Sequence, residues 1–178
     1  PFPVPSGCVT AIVEDSSRRV WVRTSNVLWR YDPTSGDWTQ FTPPEPPDPP
    51  PLGQWRYAAA DIVLDPSDDP WVTFLICGAA SCDTFVVYHV RDAAWIQAID
   101  DPRCYYPILV LDEDNVGWVL CWDGPVHRIT AGALEPVPGE TVPGLHSGIV
   151  HAAGRLWFMA WHKGRETLWI FDTRALVQ

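Results

Sequence analysis

The sequence predicts an all-β fold of repeated four-stranded antiparallel units, and three observations predict it. Asp15 precedes Trp21 by six residues, Asp65 precedes Trp71 by six, and Asp112 precedes Trp118 by six, with His151 in the aspartate's place before Trp157. These tryptophans stand 50, 47 and 39 residues apart, the period of stacked supersecondary units. Each interval divides into short β-branched and aromatic runs between Gly, Pro, Asn, Asp and Ser clusters, which is the strand signature. Four strands in about 40–45 residues make one blade of a β-propeller, and no helix is expected.

The first blade shows the pattern most fully. Val9–Val13 is strand A, Ser16–Arg19 a polar turn, Val20–Thr24 strand B, Val27–Tyr31 strand C, Asp32–Gly36 a turn and Asp37–Phe41 strand D. Strand A recurs at 61–64, 108–111 and 148–150, strand B at 71–74, 118–120 and 157–159, and strand C at 86–90, 126–129 and 168–171. Strand D recurs at 95–99, more weakly at 133–137, and Ala175–Gln178 is a short last copy or its beginning. The blades fall at about 8–42, 57–100, 105–138 and 146–178 of a single domain, with a Pro-rich connection at 43–54. Eight of the eleven tryptophans (Trp21, Trp29, Trp38, Trp71, Trp95, Trp118, Trp157 and Trp169) fall on repeat positions, as expected of sheets packed on both faces.

The run from Asp15 to Thr24, followed by Val27-Leu28-Trp29-Arg30-Tyr31-Asp32-Pro33, resembles the two-component-regulator type of propeller repeat. Arg18 or Arg19 stands where that repeat has its turn glycine, and only the first blade keeps the threonine at the end of strand B. Gly154-Arg155-Leu156-Trp157-Phe158 is more similar to streptogramin-lyase-type propeller repeats. The resemblance implies a seven- or eight-bladed ligand-sensing ring outside the cytoplasmic membrane. Kelch, WD40 and sialidase repeats fit worse: there is no Gly-Gly, the one Trp-Asp lies past strand B, and no Asp-box occurs. Four blades leave three architectures open: a closed four-bladed ring, half of an eight-bladed dimer, or a slice of a larger propeller. An open arc would present strand edges that seek partners. The start at Pro1 suggests a chain processed or excised from something longer.

Composition narrows the partners. The 47% hydrophobic content suffices for a core. A formal charge of −10, with one lysine and eleven arginines, argues against nucleic acid and anionic membranes. No apolar run reaches the ~18 residues that span a bilayer, so no membrane insertion is expected. Of the five cysteines, Cys77 and Cys82 bracket a hairpin tip and are a candidate disulfide. Cys8 and Cys104 are not an expected pair, Cys121 reads as a core residue, and an odd count leaves a thiol free. Without Cys-x-x-Cys and histidine partners no metal is expected, and no cofactor either. Asp112-Glu113-Asp114 is only a fragment of a calcium loop and reads as an ordinary A–B turn.

In a propeller the B–C loops and D–A connections share one rim. The polyproline stretch 43–51 delivers Trp55, Arg56 and Tyr57 there, as a stiff spacer or as a recognition segment. Trp122 and Trp161 each follow a repeat tryptophan by four residues, and Asp123, His162 and Arg165 follow them. Trp55, Tyr57, Trp122 and Trp161 are candidate stacking groups, and Arg56, Asp123, His162 and Arg165 candidate polar contacts, for a small molecule, glycan or peptide. Trp122 and Trp161 capping the seam between blades is the alternative. The expected function is a non-catalytic, extracytoplasmic binding or sensing propeller. The alternatives are a scaffold meeting another protein chain, a lectin, and a lyase-like enzyme using His146 and His162.

Overall fold

The computed structural model describes residues 8–45, 56–58, 61–77, 82–98, 104–112, 114–122, 124–130, 133–142 and 145–176. They form four antiparallel sheets in chain order. The first is β1 (Val9–Glu14), β2 (Val20–Thr24), β3 (Leu28–Asp32) and β4 (Asp37–Phe41). The second contains β5 (Arg56–Ala58) and β6 (Ile62–Leu64), both paired with β7 (Pro70–Cys77), then β8 (Cys82–Arg91) and β9 (Ala94–Gln97). The third is β10 (Tyr105–Leu111), β11 (Gly117–Trp122), β12 (Gly124–Thr130) and β13 (Ala133–Val142). The fourth is β14 (Leu145–Ala152), β15 (Arg155–His162) and β16 (Arg165–Asp172). These are propeller-like blades.

Two strand expectations change. Ala175 and Leu176 belong to a 3₁₀ turn, Thr173–Leu176, rather than a fourth strand, so the last described sheet has three strands. The backbone N–H and hydroxyl of Thr173 both donate to the Gly154 carbonyl, at 3.1 and 2.9 Å, which folds the chain off the sheet. Strand β13 is twice the expected length despite Pro136 and Pro138. It is the last strand of its sheet, where a proline's missing N–H breaks no ladder bond.

Alternation along each strand sends its two faces into different seams. Ile62 and Leu64 pack toward Trp21, Leu28 and Phe41 of the first blade. Val63 between them packs with Trp71 toward Leu109, Val119 and Cys121 of the third. Trp118, Leu120 and Val126 then meet Leu156, Phe158 and Phe171 of the fourth. Each fully buried large side chain contributes about 1.5–3 kcal/mol. Trp21, Trp71 and Trp118 thus occupy one equivalent place, the face turned to the following blade. Trp157 holds that place in the fourth blade, where Leu168 is 55% and Ile170 51% exposed. On the first blade's opposite face Ile12 is 64% exposed, near a cluster of Trp29, Tyr31 and Trp38.

The six-residue Asp–Trp spacing has a physical cause. Asp112 Oδ1 accepts the backbone N–H groups of Asp114 and Val116 at 3.0 and 2.8 Å, closing the A–B turn. Its Oδ2 accepts the Trp118 indole N–H at 2.9 Å. Asp15 repeats this with Ser17, Arg19 and the Trp21 indole. The residue three after each aspartate takes a left-handed conformation: Arg18 at φ 65°, Asp68 at 65° and Asn115 at 59°. This is the place of the glycine in the resembled repeat, and a non-glycine residue there is strained. His151 replaces the aspartate because the fourth blade has no such turn. Ala153 and Gly154, both at positive φ, join β14 and β15 directly.

Trp118→Phe should therefore destabilise more than Trp71→Phe. Both side chains are fully buried, but the Trp71 indole nitrogen has no hydrogen-bond partner. Urea unfolding should show a difference of about 1.5–3 kcal/mol, the size of a lost bond to a charged acceptor.

Candidate functional site

The B–C rim carries the sequence-selected residues that the structure describes. Arg56 and Tyr57 lie on β5, paired with Cys77 and Ile76 at the end of β7. Trp122 is the last residue of β11, half-buried and opposite Tyr105. Trp161 and His162 close β15, opposite Glu166 and Arg165, with only Lys163 and Gly164 between the strands. Arg165 is exposed. The backbone thus brings His162 and Arg165 together across one turn, and it places Arg56, Tyr57 and Trp122 at strand ends on separate blades. Trp55 and Asp123 lie outside the described residues.

The cysteines carry one correction. Cys104 and Cys121 form a disulfide with their Cα atoms 4.6 Å apart, although neither was an expected partner of the other. The reason is register. Counting outward from the Leu111–Gly117 pair, through the bulge before Ile108, brings Cys104 to the end of β11, where Tyr105 faces Trp122. Cys121 is indeed buried, and its sulfur accepts a contact from His127 Nδ1 at 3.7 Å. Cys77 is also disulfide-bonded and stands opposite Cys82 in the ladder. Among the described residues, Cys8 is a free, exposed thiol.

The opposite rim holds a group that sequence reading missed. The residue across from each repeat tryptophan is Arg30, His89, Arg128 and Ile170 in turn. The two guanidinium groups sit 5.4 and 6.0 Å from the Trp21 and Trp118 ring centres. His89 instead stacks on Trp71 at 4.5 Å with 14° between the planes. It is fully buried, and its Nε2 lies 3.3 Å from Asp65 Oδ2 and 3.9 Å from Asp69 Oδ2, off hydrogen-bond geometry. Asp65 Oδ1 still holds the turn through the Ser67 and Asp69 amides. Its Oδ2 faces the imidazole instead of the Trp71 indole, and an unpartnered buried N–H of that kind costs about 1–3 kcal/mol. Burial raises the Asp65 carboxyl, but the His89 ring and the two amides outweigh it and hold the pKa below the usual carboxylate range.

Beside this cluster a groove of about 410 Å³ opens between the second and third blades, lined by Asp65, Ser67, Arg91, Arg128 and Thr130. Arg91 Nε bonds Asp69 Oδ2 at 3.2 Å, whereas Arg128 Nε and the Thr130 hydroxyl are buried and make no hydrogen bond. A second buried cation, Arg23, lies with its guanidinium 4.0 Å over the Phe74 ring, and burial lowers its pKa to about 10.

No family model matches the chain, and no curated protein matches it. Among solved structures it superposes on the PQQ-bound aldose sugar dehydrogenase of Streptomyces coelicolor with a TM-score of 0.51 at 15% identity. That match takes in 96% of this chain and 62% of the dehydrogenase, so the chain spans less than two thirds of that protein's length. The extracellular domain of the putative one component system BT4673 from B. thetaiotaomicron aligns at a TM-score of 0.39 and 14% identity, over 94% of this chain and 28% of that one. The expectation of a non-catalytic chain is corrected here. A solved structure that this chain superposes on is an enzyme, so the fold gives no ground for excluding catalysis, which depends on loops and strand ends rather than on the fold itself.

Burial also raises the Asp61 carboxyl, against a hydrogen bond from the Leu109 amide. The folded state therefore holds that proton more tightly than the unfolded chain, and stability is lost as pH rises through the folded pKa. Asp61→Asn should be more stable than the parent at pH 7, and the difference should vanish at acid pH, as read from urea midpoints across the range.

Proposed function

We propose that this chain is an extracytoplasmic ligand-binding part of a β-propeller, taking a small molecule, glycan or peptide on its B–C rim. The observation that carries this reading is the division of labour among the tryptophans. Trp21, Trp71 and Trp118 are consumed in the seams, while Trp122 and Trp161 stand at strand ends, with His162 and Arg165 at the turn that follows Trp161 and Arg56 at a strand end of another blade. Aromatic faces next to charged groups suit sugars and cations. The Cys104–Cys121 disulfide favours an oxidising compartment. We pair Cys77 with Cys82 as a second bridge, at the tip of the hairpin where Arg56 pairs with Cys77.

Tryptophan fluorescence titration against saccharides, cationic small molecules and proline-rich peptides tests the rim. Trp122→Ala should weaken a saturable response at least tenfold while the far-UV spectrum is kept. An undiminished response in that variant sinks the assignment.

A second reading, a portion of a larger assembly, is favoured by the exposed apolar residues on the two terminal faces, Ile12 on one and Leu168 and Ile170 on the other. Faces of this kind are the seams of the inner blades, and they suit a further blade or a second copy. Native mass spectrometry of the chain should then show a dimer that Ile170→Glu dissociates, and a monomer in both proteins would remove the second-copy form of this reading.

A further inference from the structure

The geometry points to a divalent transition-metal site, of the zinc class, formed by His89, Asp65 and Asp69 at the A–B rim of the second blade. The three ligand atoms lie within 4.8 Å of one another. The imidazole nitrogen is 3.3 and 3.9 Å from the two carboxylate oxygens. Bonds of about 2.0–2.1 Å in a tetrahedral site put adjacent donor atoms about 3.3 Å apart, so small side-chain shifts would close the set around an ion. One nitrogen with two carboxylate oxygens suits zinc or cobalt better than calcium or magnesium, which take oxygen alone.

Two further observations separate this cluster from an ordinary acidic turn. His89 is fully buried, its Nε2 lies beside both carboxylates, and neither ring nitrogen makes a hydrogen bond. Comparison among the blades is the other. The turns of the first and third blades have Arg19 and Val116 where the second has Asp69, and Arg30 and Arg128 where it has His89. Both changes toward ligand chemistry fall in one blade, and there alone among the three aspartate turns the carboxylate leaves the indole. Arg91, bonded to Asp69, then supplies the outer hydrogen bond that orients a ligating carboxylate. Three protein ligands leave a coordination position open. Asp65 lines the groove that also contains Arg91 and Arg128, so an anionic ligand or water fits that position.

The test is Co²⁺ titration of chelator-treated, tag-free chain, followed by visible absorption, with Zn²⁺ as competitor. One equivalent of Co²⁺ should bind and be displaced by one of Zn²⁺. Asp69→Asn and His89→Gln should each weaken binding at least tenfold, and Asp114→Asn, an exposed carboxylate on the neighbouring turn, should leave it unchanged. Because His89 is in the core, Asp69→Asn at the half-buried turn is the decisive variant, with its fold checked by circular dichroism. Imidazole ¹⁵N spectra should show one ring shifting on Zn²⁺ addition and that signal missing from His89→Gln. No uptake by the parent chain, or uptake that survives Asp69→Asn, overturns the assignment.

Discussion

A single carboxylate at the end of strand A organises each of the first three blades. One oxygen closes the A–B turn through two backbone amides, and in two blades the other fixes the indole that fills the next seam. The turn and the seam are therefore coupled. A buried carboxylate without these donors would be strongly unfavourable, and a buried indole N–H without an acceptor costs about 1–3 kcal/mol. Satisfying both in one contact lets a short polar turn sit directly above a hydrophobic junction. The left-handed residue that the turn requires is accepted at Arg18, Asp68 and Asn115 without glycine, because the aspartate holds the backbone there.

The departures from this arrangement are informative for that reason. In the fourth blade a two-residue hairpin removes the turn amides, so the aspartate has nothing to close and His151 stands in its place. In the second blade the turn is intact and the carboxylate still closes it, but its free oxygen lies 3.3 Å from His89 Nε2 while the Trp71 indole goes without. His89, Asp65 and Asp69 gather at the place where this exchange occurs.

The two rims differ in character. The B–C rim is built from strand ends, with Trp122 closing β11, and is bounded by disulfide-held segments at Cys77 and at Cys104–Cys121. The A–B rim is acidic in its turns, with a groove walled by two arginines between the second and third blades. The Ser16 amide and hydroxyl both donate to the Asp68 carboxylate of the neighbouring turn, which ties the first two blades together on this side.

The sequence by itself determined the blade. The spacing of Asp15, Asp65 and Asp112 from their tryptophans encodes an A–B hairpin that each carboxylate closes, and in the first and third blades also the bond to the indole. Residues near the B–C turns could likewise be placed on one rim by counting, since chain order fixes which strand ends share an edge. What only the tertiary structure decided depends on register and on contacts between strands remote in sequence. The Cys104–Cys121 bond rests on pairing across β10 and β11 with a bulge between. The length of β13 rests on its edge position, which frees its prolines from the ladder. The meeting of His89 with Asp65 and Asp69 rests on β8 lying against β7 so that residue 89 faces Trp71, a juxtaposition that a lone histidine twenty residues from a turn does not announce.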